Sequence, residues 1–123
     1  MRQPRVLFVD DDPAVLDFMR AKLGARYELV TTGSAASALA IARERRPDAI
    51  VCDLDMPGMD GGDVSAALYG DDAMRDIPLL FLTGLVSAED LKAKGGQLGG
   101  RPALSKNAPV AELIARIDSL LRG

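Results

Sequence analysis

The sequence predicts an α/β fold, a five-stranded parallel sheet with helices on both faces. Three observations carry that prediction. Val6-Leu7-Phe8-Val9, Ala49-Ile50-Val51-Cys52 and Ile77-Pro78-Leu79-Leu80-Phe81-Leu82 are apolar almost throughout, the pattern of strands covered on both sides. Stretches with apolar residues at helical spacing separate them. Strand-like and helix-like segments alternate through five βα units, which right-handed crossovers join into one parallel sheet. With 123 residues and no linker or low-complexity tract, residues 1–123 are expected to form a single domain.

The first strand is Val6–Val9, and Asp10-Asp11-Asp12-Pro13 follows at once. Asp12 suits an N-cap with Pro13 at the first helical position, so a helix is expected from about Pro13 to Leu23, stopped by Gly24. Tyr27-Glu28-Leu29-Val30-Thr31 alternates more and reads as an exposed, edge-like strand. Gly33-Ser34 opens an Ala-rich second helix through about Arg46, with Arg43, Arg45 and Arg46 in the last turn and Pro47 ending it. The third strand, Ala49–Cys52, runs into Asp53. The following Met56-Pro57-Gly58-Met59-Asp60-Gly61-Gly62 must turn, because Pro lacks a donor and Gly favours turns.

Asp63 is expected to cap a short third helix through about Tyr69. The fourth strand, Ile77–Leu82, ends at Thr83-Gly84. Ser87 starts a fourth helix that Gly95 to Gly100 should make short or loose. Pro102–Ser105 is a weak fifth strand ending at Lys106. The last helix covers about Ala108 to Leu121, with Val110, Leu113, Ile114, Ile117, Leu120 and Leu121 as its apolar stripe.

Composition narrows the chemistry. The chain is 48% hydrophobic but only 4% aromatic, so its core is aliphatic. A net charge of −3 argues against a nucleic-acid surface. No signal peptide or membrane span is visible, and one cysteine rules out an internal disulfide, so a cytoplasmic protein is expected. There are no histidines. That excludes Ser-His-Asp and Cys-His catalysis, His-ligated zinc and a histidine base.

In an open parallel sheet, function gathers at the carboxyl ends of the strands. Asp10 and Asp11 follow the first strand, Asp53 the third, Thr83 the fourth and Lys106 the fifth. Each alone is an ordinary cap, turn or solvated charge. Together they fit one device. Two unit charges about 4 Å apart repel by roughly 4 kcal/mol at an effective dielectric of 20. Three clustered carboxylates therefore want a divalent cation, and oxygen donors without histidine select a hard one, Mg2+. A cation, the Lys106 ammonium, the Thr83 hydroxyl and turn amides would serve a phosphoryl group's oxygens. The carboxylate facing them could take the phosphoryl as an acyl phosphate.

With these residues assembled, the chain resembles the receiver domain of two-component response regulators, over nearly its whole length. The matching stretches are Val6 to Pro13, Pro47 to Gly61, Pro78 to Gly84, and Lys106. The resemblance implies a flavodoxin-like fold with strand order 2-1-3-4-5. It implies that Asp53 is the phosphoacceptor, Asp11 a direct Mg2+ ligand and Asp10 a ligand acting partly through water. Asp53 itself joins the metal set, and Asp55 would offer its backbone carbonyl. Thr83 would be the switch hydroxyl and Lys106 a phosphoryl contact. A sensor histidine kinase or histidine phosphotransfer protein would be the donor, and a downstream protein target the reader. The domain would assist its own phosphorylation and hydrolysis without turning over a separate substrate. The fourth-helix, fifth-strand and fifth-helix face would be the partner or homodimer surface. Asp55 and Leu85 flank the expected entry of attacking water and should tune the lifetime of the phosphorylated state. With nothing resembling an output domain after Arg122-Gly123, the sequence reads either as a stand-alone receiver working by protein contact or as an excised domain of a longer protein, and Met1 leans only weakly to the former.

Three departures stand out. Asn107 follows Lys106 where the family usually has a cis proline, so the loop must either differ or carry a non-proline cis bond at about 2.5–4 kcal/mol. Ala103 stands where an aromatic often couples to the threonine. The Gly95 to Gly100 segment is therefore expected to report phosphorylation instead. Two rivals remain. Asp53-Leu54-Asp55 matches the Asp-x-Asp of haloacid-dehalogenase-like phosphatases, although that motif follows their first strand. A phosphorylation-independent interaction module of receiver shape is the other.

Overall fold

The computed structural model describes residues 3–56, 61–98 and 100–123. Of the turn expected over 56–62, residues 57–60 lie outside them, as do Met1, Arg2 and Gly99, and Gly61 and Gly62 already belong to the following helix. Strands β1 (Arg5–Val9), β2 (Glu28–Thr32), β3 (Ala49–Asp53), β4 (Leu79–Thr83), β5 (Gln97–Leu98) and β6 (Arg101–Ser105) form one sheet in the order β2-β1-β3-β4-β6-β5. Helices α1 (Pro13–Leu23), α2 (Ala35–Arg45), α3 (Gly61–Tyr69), α4 (Ala88–Ala93) and α5 (Val110–Arg122) connect them. Five of the strands are parallel, in the predicted 2-1-3-4-5 order once β6 is counted as the fifth.

Alternation of side chains across each strand builds two cores. Val6, Phe8, Val51, Leu80, Leu82 and Leu104 face α1 and α5, where Leu16, Leu23, Leu113 and Ile117 meet them. Leu7, Val9, Ile50, Cys52, Leu79, Phe81 and Ala103 face the other way, against Ala38 and Ala42 of α2, Val64 and Leu68 of α3 and Leu91 of α4. The central strands β3 and β4 are buried along their whole length, as their unbroken aliphatic runs require.

Local signals behave as expected at most helix ends. The Asp12 carboxylate accepts from the Ala14 amide at 2.9 Å, and Ser34 and Ser87 cap α2 and α4. Arg46 takes the left-handed conformation (φ 45°) that closes α2. Some details differ from expectation. The sheet has six strands rather than five: Gln97–Leu98 pairs antiparallel with Arg101–Pro102. Helix α4 is short, as the glycines after it led one to expect, and Gly95, Gly96 and Gly100, with φ of 73°, 73° and 78°, turn the chain into the hairpin that follows. Asp63 lies within the first turn of α3, which begins at Gly61, rather than ahead of the helix. Helix α5 starts at Val110, behind Pro109. Tyr27 is not exposed: it is buried before β2, and its hydroxyl donates to Asp118 of α5 at 2.6 Å.

Candidate functional site

Strand register assembles the site. Asp10 directly follows β1 and its amide bonds Thr32 of β2. Asp53 ends β3 opposite Leu82, and Thr83 ends β4 opposite Ser105. The Lys106 amide donates to the Thr83 carbonyl at 2.9 Å, which seats the lysine one position past the end of β6. The four parallel strands β1, β3, β4 and β6 thus deliver Asp10, Asp53, Thr83 and Lys106 to one rim.

The rim is dry around its acids. Asp10 is 0% exposed, Asp53 1% and Thr83 0%, while Asp11 is open to solvent. Lys106 Nζ lies 3.0 Å from Asp53 Oδ2 and 3.3 Å from Asp10 Oδ2. One ammonium therefore serves two buried carboxylates. Asp53 Oδ1 accepts from the Asp55 amide and Asp10 Oδ1 from the Asp12 amide, each at 2.9 Å. Among the described residues Asp10 Oδ2 has only the Lys106 ammonium beside it, at ion-pair distance and without a well-aligned hydrogen bond. A buried carboxylate oxygen in that condition is costly unless another cation approaches it.

Electrostatics agree with the geometry. Burial pushes the Asp10 carboxyl up and the charge of Asp53 adds to it, against the pull of the Asp12 amide and Lys106. Burial alone would push the Lys106 ammonium down, but Asp53 and Asp10 outweigh it and hold the group firmly protonated. One carboxylate oxygen from each of Asp10, Asp11 and Asp53 lies within 4.8 Å of the others. Hard oxygen donors at this spacing around an unsatisfied oxygen fit a divalent cation.

Asp55 does something its sequence position did not announce. Its carboxylate leaves the acidic cluster and accepts from Thr83 Oγ1 at 3.1 Å and from the Gly84 amide at 3.2 Å. Thr83 Oγ1 in turn accepts from the Leu85 amide at 3.1 Å. The available signal was an acid two residues past one strand and a hydroxyl ending its neighbour. Leu85 itself is exposed beside this loop.

The departures resolve in physical terms. The described residues contain no cis peptide bond, so the Lys106-Asn107 loop differs from the proline form rather than carrying a strained one. Ser105 organises it: Ser105 Oγ accepts from the Asn107 amide at 3.1 Å and the Ser105 carbonyl from the Ala108 amide at 3.0 Å. Ala103 is buried directly opposite Phe81 of β4, so the aromatic bulk at this level comes from the neighbouring strand.

Comparison with known proteins agrees with this arrangement. A family model described as response regulator receiver domain matches residues 6–118. The transcriptional regulatory protein PrrA of Mycobacterium tuberculosis is 42% identical over 120 residues, covering 97% of this chain and 50% of PrrA. The response regulator PleD of Caulobacter vibrioides is 39% identical over 119 residues, covering 96% of this chain and 26% of PleD. Among solved structures, chemotaxis protein CheY4 of Vibrio cholerae superposes with a TM-score of 0.80 at 29% identity, covering 96% of this chain and 98% of CheY4. The receiver domain of a Francisella response regulator gives 0.81 at 28%, covering 98% of each chain. The chain belongs to the response regulator receiver domain family, the receiver domains of two-component signalling. It spans about half the length of curated relatives such as PrrA. The haloacid-dehalogenase alternative falls with this match, since Asp53-Leu54-Asp55 stands after the third strand of a receiver sheet. Among the described residues, no helix is long and apolar enough to cross a membrane.

Proposed function

We propose that Asp53 accepts a phosphoryl group from a phosphohistidine donor and that the acyl phosphate switches a protein-binding surface. One observation carries this assignment: Lys106 Nζ sits between Asp53 and Asp10, beside the Asp10, Asp11 and Asp53 cluster whose Asp10 Oδ2 is unsatisfied. An oxygen of Asp53 attacks phosphorus, forming an O–P bond as the N–P bond of the donor breaks. The departing imidazole nitrogen keeps the electron pair and takes a proton from solvent. Lys106, held protonated by its two acids, follows the negative charge from the Asp53 carboxylate to a phosphoryl oxygen. Burial of Asp53 at the strand end fixes the nucleophile's direction. Asp10, Asp11, Asp53 and the backbone carbonyl of Asp55 would hold Mg2+, which would supply positive charge against the phosphoryl oxygens.

The Thr83 hydroxyl then donates to a phosphoryl oxygen, and its movement carries the signal into the loop before α4. The donor is a sensor histidine kinase or a histidine phosphotransfer protein. The reader is a downstream protein or a second copy bound on the face of α4, β6 and α5. The chain's own chemistry is limited to taking and losing the phosphoryl group. No observation favours the phosphorylation-independent module over this assignment.

The test is intact mass after incubation with acetyl phosphate and Mg2+. A single phosphoryl adduct is expected on the wild type, dependent on Mg2+ and absent from Asp53→Asn. If neither an adduct forms nor beryllofluoride binds, the assignment of Asp53 is wrong.

A further inference from the structure

The Thr83 hydroxyl is already engaged, and its partner is an acid. Thr83 Oγ1 donates to Asp55 Oδ2 at 3.1 Å and accepts from the Leu85 amide at 3.1 Å. A hydroxyl carries one proton. A carboxylate can only accept, so that proton points at Asp55 and away from Asp53. The same Asp55 oxygen accepts from the Gly84 amide at 3.2 Å. Two hydrogen bonds to one charged oxygen thus tie the start of the β4–α4 loop to the segment after β3. Thr83 is fully buried, so no water competes for its proton. The Asp53 carboxylate meanwhile takes its hydrogen bond and ion pair from the Asp55 amide and Lys106, not from Thr83.

We infer that Asp55 is a latch: its carboxylate holds Thr83 and Gly84 in the unswitched position, and the phosphoryl group must take the Thr83 proton from it. This rests on Asp53 being the phosphoacceptor and names a positioning residue for that site. Two anions, the Asp55 carboxylate and the phosphoryl group, compete for one donor. Because the Asp55 amide also binds Asp53 Oδ1, the latch and the phosphoacceptor share one short segment. Loading Asp53 therefore strains the same turn that must release Thr83. The latch sets a threshold: without it the domain switches at lower occupancy of the site.

Beryllofluoride with Mg2+ serves as the probe, with binding and loop state followed by amide NMR shifts of the Gly84 and Leu85 signals. Asp55→Ala is expected to lower the midpoint about tenfold, the factor matching one charge-assisted hydrogen bond. Asp55→Asn keeps the shape and an oxygen acceptor without the charge, and should fall between. In a Thr83→Ala background the Asp55 substitutions should shift the midpoint clearly less, because only the Gly84 bond of the latch is left to lose. In the protein without metal or beryllofluoride, Gly84 amide exchange should accelerate in Asp55→Ala. Equal shifts in both backgrounds would mean that Asp55 acts by charge alone, and would overturn the latch. No shift in either Asp55 variant would overturn it too, while leaving the phosphoacceptor in place. Failure of the wild type to bind the probe at all would remove the phosphoacceptor reading and the latch together.

Discussion

At the scale of single residues, the site holds more negative charge than the fold would choose for stability. Asp10 is the clearest case. Its carboxyl binds its proton more tightly folded than unfolded, because it is buried beside Asp53. A carboxyl raised in this way penalises the folded state at neutral pH, the reverse of a salt-bridged acid. Lys106 offsets part of that penalty but must divide itself between two acids. Asp10→Asn is therefore expected to raise the metal-free stability by about 1 kcal/mol, the ordinary yield of relieving strain at a functional site. Mg2+ should raise the urea midpoint of the wild type and do so far less for the variant, since a ligand that binds only the folded state stabilises it. A less stable Asn variant in chelator would mean that Asp10 is a structural acid. Asp10, Asp53, Thr83 and Lys106 were legible in the sequence because each stands at the end of a strand-like run, with Asp11 next to Asp10, and strand ends in a parallel sheet share a rim. The turn of the Asp55 carboxylate toward Thr83 was not legible. It depends on side-chain direction beyond a strand end, which neither periodicity nor spacing encodes.

At the scale of elements, the aliphatic strands and most capped helices were plain in the sequence, for the physical reason that burial pattern and capping are local. The β5 strand was hidden because it is two residues long and made by its flanking glycines rather than by its own side chains. Tyr27 was misjudged for a related reason. Alternation suggested an exposed strand, but a partner 91 residues away decides its environment. That partner, Asp118, accepts from Tyr27 Oη at 2.6 Å and from Arg26 at 2.5 Å, tying α5 to the segment before β2. Arg26 first and Tyr27 second hold the Asp118 carboxyl below its usual range, while burial and Asp118 push the Tyr27 hydroxyl up to about 12. A depressed carboxyl contributes stability above its unfolded pKa of about 4, and that contribution is lost as pH falls through the folded value. Asp118→Asn should accordingly be less stable than the wild type near pH 7, with the difference shrinking below about pH 4. Urea midpoints across that window measure it, and a difference independent of pH would assign the tie to packing alone.

At the scale of the whole molecule, the two faces of the sheet are held very differently, and that asymmetry decides where a signal from the rim can go. On one face α1 and α5 are long, cover a continuous aliphatic core and are cross-tied by Tyr27, Arg26 and Asp118. On the other, α2 matches α1 in length, but α4 has six residues and buries only Leu91 among the described residues. It is followed at once by positive-φ glycines and a two-residue strand on the sheet edge. Segments with few buried contacts open at low free energy, whereas a core helix opens only near global unfolding. Thr83 and Gly84 lead directly into the weak side, through Leu85 and the Ser87 cap of α4. With Ala103 in β6, no aromatic side chain at that position can carry the change across to α5. Amide exchange on adding beryllofluoride and Mg2+ should therefore change between about residue 84 and residue 98, and stay constant in the buried turns of α1 and α5. Equal changes in α5 would require a route through β6 that bypasses an aromatic at position 103. Unchanged exchange across 87–105, with the probe bound, would show that the glycine-rich hairpin is scaffold and not reporter.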